Sequence, residues 1–158
     1  ALPFAIAVAI LAGAILEPFQ RYLQTLPPED RQRLHVLGAV DDQEKRDLLA
    51  AADVFAMPSR TDSFGIVYLE AWLYHKPVIG ARTWGVSDVI TDGEDGLLVP
   101  FGDVAALAAT IARLLDDPAL RQAMGERGAR KALEHHRWER KFELIHDLYV
   151  RLGASGEP

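Results

Sequence analysis

Asp62 and Glu70 are the residues whose type and spacing could do chemistry. They stand in "PSRTDSFGIVYLEA", residues 58–71, between a strand-like apolar run ending at Met57 and a helix-like one. One carboxylate precedes the expected helix start and the other lies two turns inside it, with Phe64-Gly65 between them. A helix N-terminus offers unpaired N–H groups and the positive end of the helix dipole. Gly65 removes a side chain there, so a phosphate or diphosphate can approach the backbone. On a helix opening at Ser63, positions 63, 66/67 and 70 share one face, and Glu70 lies roughly 10 Å along the axis from Ser63. A carboxylate at 70 could accept two hydrogen bonds from a vicinal diol such as a ribose. Asp62, at the opposite end of the phosphate site, could accept from a sugar hydroxyl. Ribose, diphosphate and sugar laid in that order make a nucleotide sugar. Two plainer readings fit the same residues equally well: Asp62 or Ser63 as an N-cap, and Glu70 as a solvated acid.

The surrounding pattern must position this stretch. An apolar run, Phe4 to Leu11, predicts a strand buried on both faces, ended by Gly13. Pro18 suits the first turn of a helix running to about Leu26, and "PPED" at 27–30 predicts a surface turn. A short strand follows at 33–37, closed by Gly38. Asp41 with Glu44 three residues on has the form of a capping box, opening a helix to about Ala51 with Leu48 and Leu49 on its inner stripe. Further strands are predicted at 54–57, 76–81 and 97–100, with a helix at 63–74, a helical turn at 86–90 and a tight "TDGEDG" loop at 91–96. Asp103 caps a helix to about Leu115, Pro118 opens one to His135, and Trp138 opens a last one to about Leu152. In this last helix Trp138, Phe142, Ile145 and Tyr149 form an apolar stripe. Strands alternating with helices predict a parallel, doubly wound α/β sheet. Ligands of such sheets bind beyond the carboxyl ends of the strands. The loops at 12–17, 38–42, 58–64 and 81–87 are all predicted at that edge.

Composition narrows the classes. The chain has 158 residues, 49% hydrophobic and 25% charged, enough to build one core without staples. Its net charge of -6 argues against a nucleic-acid groove, which needs a basic surface. Cysteine is absent, which excludes disulfides and thiol catalysis. The first sixteen residues carry no charge, yet no basic segment precedes them and a membrane span needs about twenty such residues, so a buried strand is expected. The chain begins with Ala, as a processed or excised piece would. Asp41-Asp42 and Asp116-Asp117 could suggest metal sites, but both lie in helix-cap contexts, one at a start and one at an end. No G-x-G-x-x-G follows the first strand, which argues against a dinucleotide-binding dehydrogenase.

Five ordered segments carry a resemblance across almost the whole chain: "HVLGAV" (35–40), "AADVFAMPS" (51–59), "DSFGIVYLEAWLYHKPV" (62–78), "WGVSDVITDGEDGLLVP" (84–100) and "RWERKFELIHDLYVRL" (137–152). They resemble the retaining glycosyltransferase family 4, whose signature is two acidic residues separated by seven, with Phe-Gly between, then "EA" and "KPV". The resemblance implies a GT-B fold, of which this chain matches the C-terminal half, a doubly wound Rossmann-like α/β domain. Residues 1–152 would form the donor-binding domain, truncated at its N-terminal side, and 153–158 a frayed tail.

The resemblance also implies roles. Asp62 and Glu70 would be the catalytic pair, Asp62 facing the transferred sugar and Glu70 holding the ribose. Ser63, Phe64, Gly65, Ile66 and Val67 would line the donor site. Within it the N–H groups of Phe64 and Gly65 would serve sugar hydroxyls, and those of Ile66 and Val67 the distal phosphate. Gly38, Ala39 and Val40 would border the nucleobase, and Gly13 the diphosphate. The partner implied is a nucleoside-diphosphate sugar, without metal or other cofactor and without nucleic acid. The reaction implied is hexosyl transfer to a hydroxyl acceptor by a cytoplasmic enzyme, peripheral to a membrane, whose acceptor domain lies upstream. The piece alone is expected to fold but not to transfer sugar, and its last helix, which packs back across the domains in the family, to show uncovered apolar surface that drives self-association. A non-catalytic nucleotide-sugar-binding module and a GT-B-fold sugar-nucleotide hydrolase or epimerase are the alternatives. The chain departs from the pattern in four ways: Asp62 is one methylene shorter than the usual Glu, Trp84 takes a usual Gly position, Ser87 and Asp88 replace Pro and Glu, and His75 stands where Gly often ends the helix. Trp84 reads either as reshaping the sugar pocket or as a packed loop aromatic, and Arg60 and Arg82 fall near the same edge.

Overall fold

The computed structural model describes residues 8–153, and the chain forms two compact units dividing between Ala51 and Ala52. Residues 4–7 of the expected first strand and 154–158 of the expected tail lie outside the described residues. All strands pair in parallel, β1 with β2 in the first unit and β3-β4-β5 in sequence order in the second.

The first unit holds β1 (Ala9–Ala12), α1 (Glu17–Thr25), α2 (Pro28–Arg31), β2 (Leu34–Gly38) and α3 (Asp42–Ala51). Pro18 lies in the first turn of α1, where its missing N–H has no helical partner to lose. "PPED" departs from a plain turn: Pro28 starts one turn of helix, since proline's fixed φ is already helical. The capping box at α3 is reciprocal. Glu44 N–H donates to Asp41 Oδ1 at 2.8 Å, and Asp41 N–H donates to Glu44 Oε2 at 2.9 Å. Leu49 alone on α3 is buried, and Leu48 is half-buried. β1 does not meet the expectation of burial on both faces. Ile10 is 46% exposed, because among the described residues β1 has one sheet neighbour, β2, and no helix covers both of its faces.

The second unit holds β3 (Phe55–Met57), α4 (Ile66–Leu73), β4 (Val78–Ala81), α5 (Val86–Val89), β5 (Gly96–Val99), α6 (Val104–Asp116), α7 (Pro118–His135) and α8 (Trp138–Arg151). β4 and β5 are buried throughout, as expected for parallel strands covered on both faces. Ile79, Leu97, Val99, Leu114 and Met124 form one core cluster. Helices α4 and α7 pack closely because Gly128 leaves room for Trp72; a Cβ on Gly128 would come within 2.1 Å of that indole. Trp72 is fully buried and its Nε1–H donates to Asp95 O at 2.9 Å. Asp95, buried at 4% exposure, pairs with Lys131 at 2.7 Å, and Lys131 Nζ also donates to Val89 O and Thr91 Oγ1. That network ties the "TDGEDG" turn, at the amino end of β5, to α7.

Helix ends follow local chemistry. Asp103 caps α6 by accepting from Ala106 N–H, and Asp117 caps α7 by accepting from Leu120 N–H, each at 2.9 Å. The α4 helix ends in a Schellman motif, with Lys76 N–H on Ala71 O and His75 N–H on Trp72 O. His75 takes the left-handed position at φ 55°. On α8 the stripe is uncovered: Trp138, Phe142, Ile145 and Tyr149 are 77%, 68%, 52% and 58% exposed.

Candidate donor site

Three loops leave the carboxyl ends of β3, β4 and β5, at 58–65, 82–85 and 100–103. The first carries Asp62. Its Oδ1 accepts from Phe64 N–H at 3.0 Å and from Gly65 N–H at 2.6 Å. The helix does not open at Ser63 as expected but at Ile66, because Gly65 sits in the left-handed region at φ 70° and ends the loop as a non-helical cap. Ser63 therefore lies off the helix and shares no helical face with Glu70. A Cβ on Gly65 would fall 2.4 Å from the Tyr68 ring, so the position needs glycine for space as well as for φ.

This local geometry sorts the backbone donors. The N–H groups of Phe64 and Gly65 are taken by Asp62. Among the described residues those of Ile66 and Val67 make no hydrogen bond, and they point from the start of α4. Asp62 Oδ2 likewise makes none. One oxygen of the carboxylate thus fixes the loop while the other stays open. Glu70 is half-buried on α4, one turn beyond Ile66. Beneath the site, Tyr68 is fully buried and its hydroxyl donates to Met57 O. Burial, and then the Asp62 charge, push the Tyr68 phenol up to about 12, so it stays protonated and the hydrogen bond persists across physiological pH.

The second loop is pressed against the first. Gly85, at φ 81°, packs so closely that a Cβ there would lie 2.0 Å from Asp62 O. Thr83 Oγ1 donates to Ser59 O at 3.4 Å. Trp84, between them, is 80% exposed, so the packed-aromatic reading is corrected: its neighbours Thr83 and Gly85 hold the backbone, and among the described residues none covers most of the ring. Arg82 is engaged in structure, with NH2 on Asp92 Oδ2 at 2.5 Å. Burial works against the charge on Asp92, but the Leu98 N–H and Arg82 outweigh it and hold its carboxyl below the usual range. Arg60 stacks over the Phe101 ring of the third loop at 5.4 Å. Phe64, 41% exposed, meets His136 edge-on at 5.5 Å between ring centroids. Sequence reasoning passed over Gly85 and His136. The Trp-Gly pair between a strand and a short helix marks the first, and no local signal marks the second.

Gly13 and Gly38–Val40 belong to the first unit. Gly13 N–H donates to Gly38 O at 2.7 Å, which joins the ends of β1 and β2. Ala39 is exposed and Val40 half-buried. Among the described residues no cluster of three or more metal-ligating side chains occurs, and no helix is long and apolar enough to cross a membrane.

A half-buried carboxylate with one unpartnered oxygen, on the loop that leads into open helix N–H groups at the carboxyl edge of a parallel sheet, is the arrangement of a nucleotide-binding class of α/β domain. Residues 7–131 match the family described as glycosyl transferases group 1, and the chain belongs to that family. It is 36% identical over 158 residues to a GDP-mannose-dependent monoacylated alpha-(1-6)-phosphatidylinositol monomannoside mannosyltransferase of Corynebacterium glutamicum, covering 94% of this chain and 41% of that relative. It is 39% identical over 136 residues to a D-inositol 3-phosphate glycosyltransferase of Corynebacterium jeikeium, covering 86% of this chain and 29% of the relative. Among solved structures it resembles sucrose-phosphate synthase from Thermosynechococcus elongatus, with a TM-score of 0.79 and 28% identity over 93% of this chain and 39% of that one. HepE of Anabaena, in complex with UDP and glucose, gives a TM-score of 0.76 at 26% identity over 91% of this chain and 40% of that one. The chain therefore spans about two fifths or less of the length of these relatives. The α/β, GT-B-type fold expected from the sequence is the fold these matches share.

Proposed function

We propose that this chain is the donor-binding domain of a retaining family 4 glycosyltransferase that moves a hexose from a nucleoside diphosphate to a hydroxyl acceptor. The observation that carries the reading is the split of Asp62: Oδ1 holds the Phe64 and Gly65 N–H groups while Oδ2 stays open beside the free N–H groups of Ile66 and Val67. Ile66 and Val67 bind the distal phosphate, with the helix dipole adding roughly 0.3–1 kcal/mol. Glu70 accepts from the ribose hydroxyls. Asp62 Oδ2 accepts from a hydroxyl of the transferred sugar, so Phe64 and Gly65 act through Asp62 rather than on the sugar directly.

In the reaction the acceptor hydroxyl attacks the anomeric carbon from the leaving-group side. The bond to the phosphate oxygen breaks, the bond to the acceptor oxygen forms, and the acceptor proton passes to the departing phosphate. This domain's main part is to stabilise the charge that develops on that phosphate. No metal takes part in this scheme. The acceptor domain precedes this one in the complete, cytoplasmic and membrane-peripheral enzyme, and the segment alone does not turn over. GDP-mannose and UDP-glucose are the donors to try first, since a relative's name carries the one and HepE structures hold UDP and UDP-glucose.

The test compares Asp62→Asn and Glu70→Gln in the intact protein. An Asn keeps an oxygen for the two loop N–H groups, so the loop holds while the charge is lost. A charge-assisted hydrogen bond is worth about 1.5–3 kcal/mol, so each loss amounts to roughly ten- to a hundredfold. Glu70→Gln should weaken nucleotide binding by calorimetry and change kcat little. Asp62→Asn should lower kcat at saturating donor and spare the affinity for the bare nucleoside diphosphate. Identical profiles would refute the division of roles, and wild-type behaviour from both would return the pair to a cap and a solvated acid. Donor binding without transfer to any acceptor would favour the binding-module alternative.

A further inference from the structure

Trp84 is the most exposed large hydrophobic residue in the second unit, at 80%. An indole in water forgoes the burial that normally makes tryptophan useful to a fold. The other exposed tryptophan, Trp138, belongs to the apolar stripe of α8, whereas Trp84 stands on a loop between β4 and α5.

Its backbone is nonetheless held firmly. Thr83 is bonded to Ser59 O, and Gly85 is pressed on Asp62 O so tightly that any side chain at 85 would collide. The chain thus fixes Trp84 beside the Asp62 loop and leaves most of its ring uncovered. The neighbouring chemistry is a carboxylate oxygen without a partner and two free N–H groups. A phosphate alone would gain nothing from an indole, whose face is negative. A pyranose ring has both kinds of surface, an apolar C–H face and a rim of hydroxyls.

We propose that Trp84 is a binding residue for the pyranose ring of a nucleotide sugar, its indole stacked on the C–H face while Asp62 Oδ2 accepts from a hydroxyl at the rim. The inference rests on the donor-site reading above and names the residue that discriminates sugar-bearing from bare nucleotides. Trp84 then adds affinity that depends on the sugar, separate from the phosphate contacts of Ile66 and Val67.

The experiment uses the intact protein, with UDP, UDP-glucose, GDP and GDP-mannose as probes in calorimetry. For the pair that the wild type binds, Trp84→Ala should weaken the nucleotide sugar about tenfold, the effect of uncovering roughly half an indole's apolar surface. It should leave the bare nucleoside diphosphate unchanged, and Trp84→Phe should retain most of the sugar affinity. Of the three tryptophans in this sequence Trp72 is buried, so in a Trp138→Phe background the nucleotide sugar, but not the bare nucleotide, should shift an emission component that Trp84→Phe removes. An equal loss for both ligands, or for neither, overturns this inference alone. A loss seen only when the acceptor is varied places the ring on the acceptor and also overturns it. A wild type that binds none of the probes overturns the donor-site reading and this inference with it. Unfolding midpoints of the variants, expected to match the wild type at so exposed a position, exclude misfolding as the cause.

Discussion

Gly85→Ala tests whether the two site loops are truly locked together, and Gly93 supplies the control. The two glycines have nearly the same backbone angle, φ 81° and φ 82°. An L-residue in that region is destabilised by about 1–2 kcal/mol. At Gly93 a Cβ meets nothing within 4 Å, so Gly93→Ala should show that conformational effect alone. At Gly85 the Cβ would fall 2.0 Å from Asp62 O and 3.2 Å from Ser63 O, both main-chain atoms. Main chain cannot rotate away as a side chain can, so the Asp62 loop must move. Overpacking of this kind adds about 1–3 kcal/mol, giving about 2–5 kcal/mol for Gly85→Ala against about 1–2 kcal/mol for Gly93→Ala. Urea unfolding of the two variants beside the wild type measures the difference. Displacing Asp62 should also release the Phe64 and Gly65 N–H groups and weaken nucleotide-sugar binding, an effect absent from Gly93→Ala. Equal destabilisation by the two substitutions would refute the contact between the loops, and with it the structural basis for placing Trp84 beside Asp62.

Two further outcomes are expected. His75 occupies the left-handed position of the α4 Schellman motif at φ 55°, so His75→Gly should stabilise the protein by about 1 kcal/mol, read as a higher urea midpoint; a lower midpoint would mean that the His75 side chain contributes more than its backbone strain removes. Burial lowers the His136 pKa, helped by Lys141, Lys131 and His135 and opposed by Asp95. A depressed histidine pKa means that the unfolded chain binds the proton more readily. The stability linked to neutral His136 is therefore complete above the unfolded value, near 6.5, and is lost as pH falls through the lower folded value. His136→Phe, which keeps an aromatic edge against Phe64, should flatten that part of the stability–pH curve, and parallel curves for variant and wild type would count against the assignment.

Much of this architecture is written in short stretches of sequence. Asp41 with Glu44, Asp103, Pro118 and Trp138 mark helix starts because capping and proline geometry act over three or four residues, and the structure starts its helices there. The parallel α/β alternation is legible for the same reason, and the order of the motif residues from Asp62 to Glu70 pointed to the site. Other features depend on contacts between distant segments. Whether the apolar run at Ile10 is buried turns on what pairs with and covers the strand, which no window of the run contains. The helix after Asp62 starts at Ile66 rather than Ser63 because Gly65 takes the left-handed conformation above the Tyr68 ring, and that choice gives Phe64 and Gly65 N–H to Asp62. The seating of Gly85 on Asp62 O and the edge contact of His136 with Phe64 join residues 23 and 72 positions apart. Local propensity is blind to such pairs, since only the packing of the sheet edge against α7 and the loops brings them within van der Waals reach. The sequence by itself therefore singled out the candidate residues, because their types and spacing are local, and tertiary packing decided which atoms of the Asp62 loop are left without a partner.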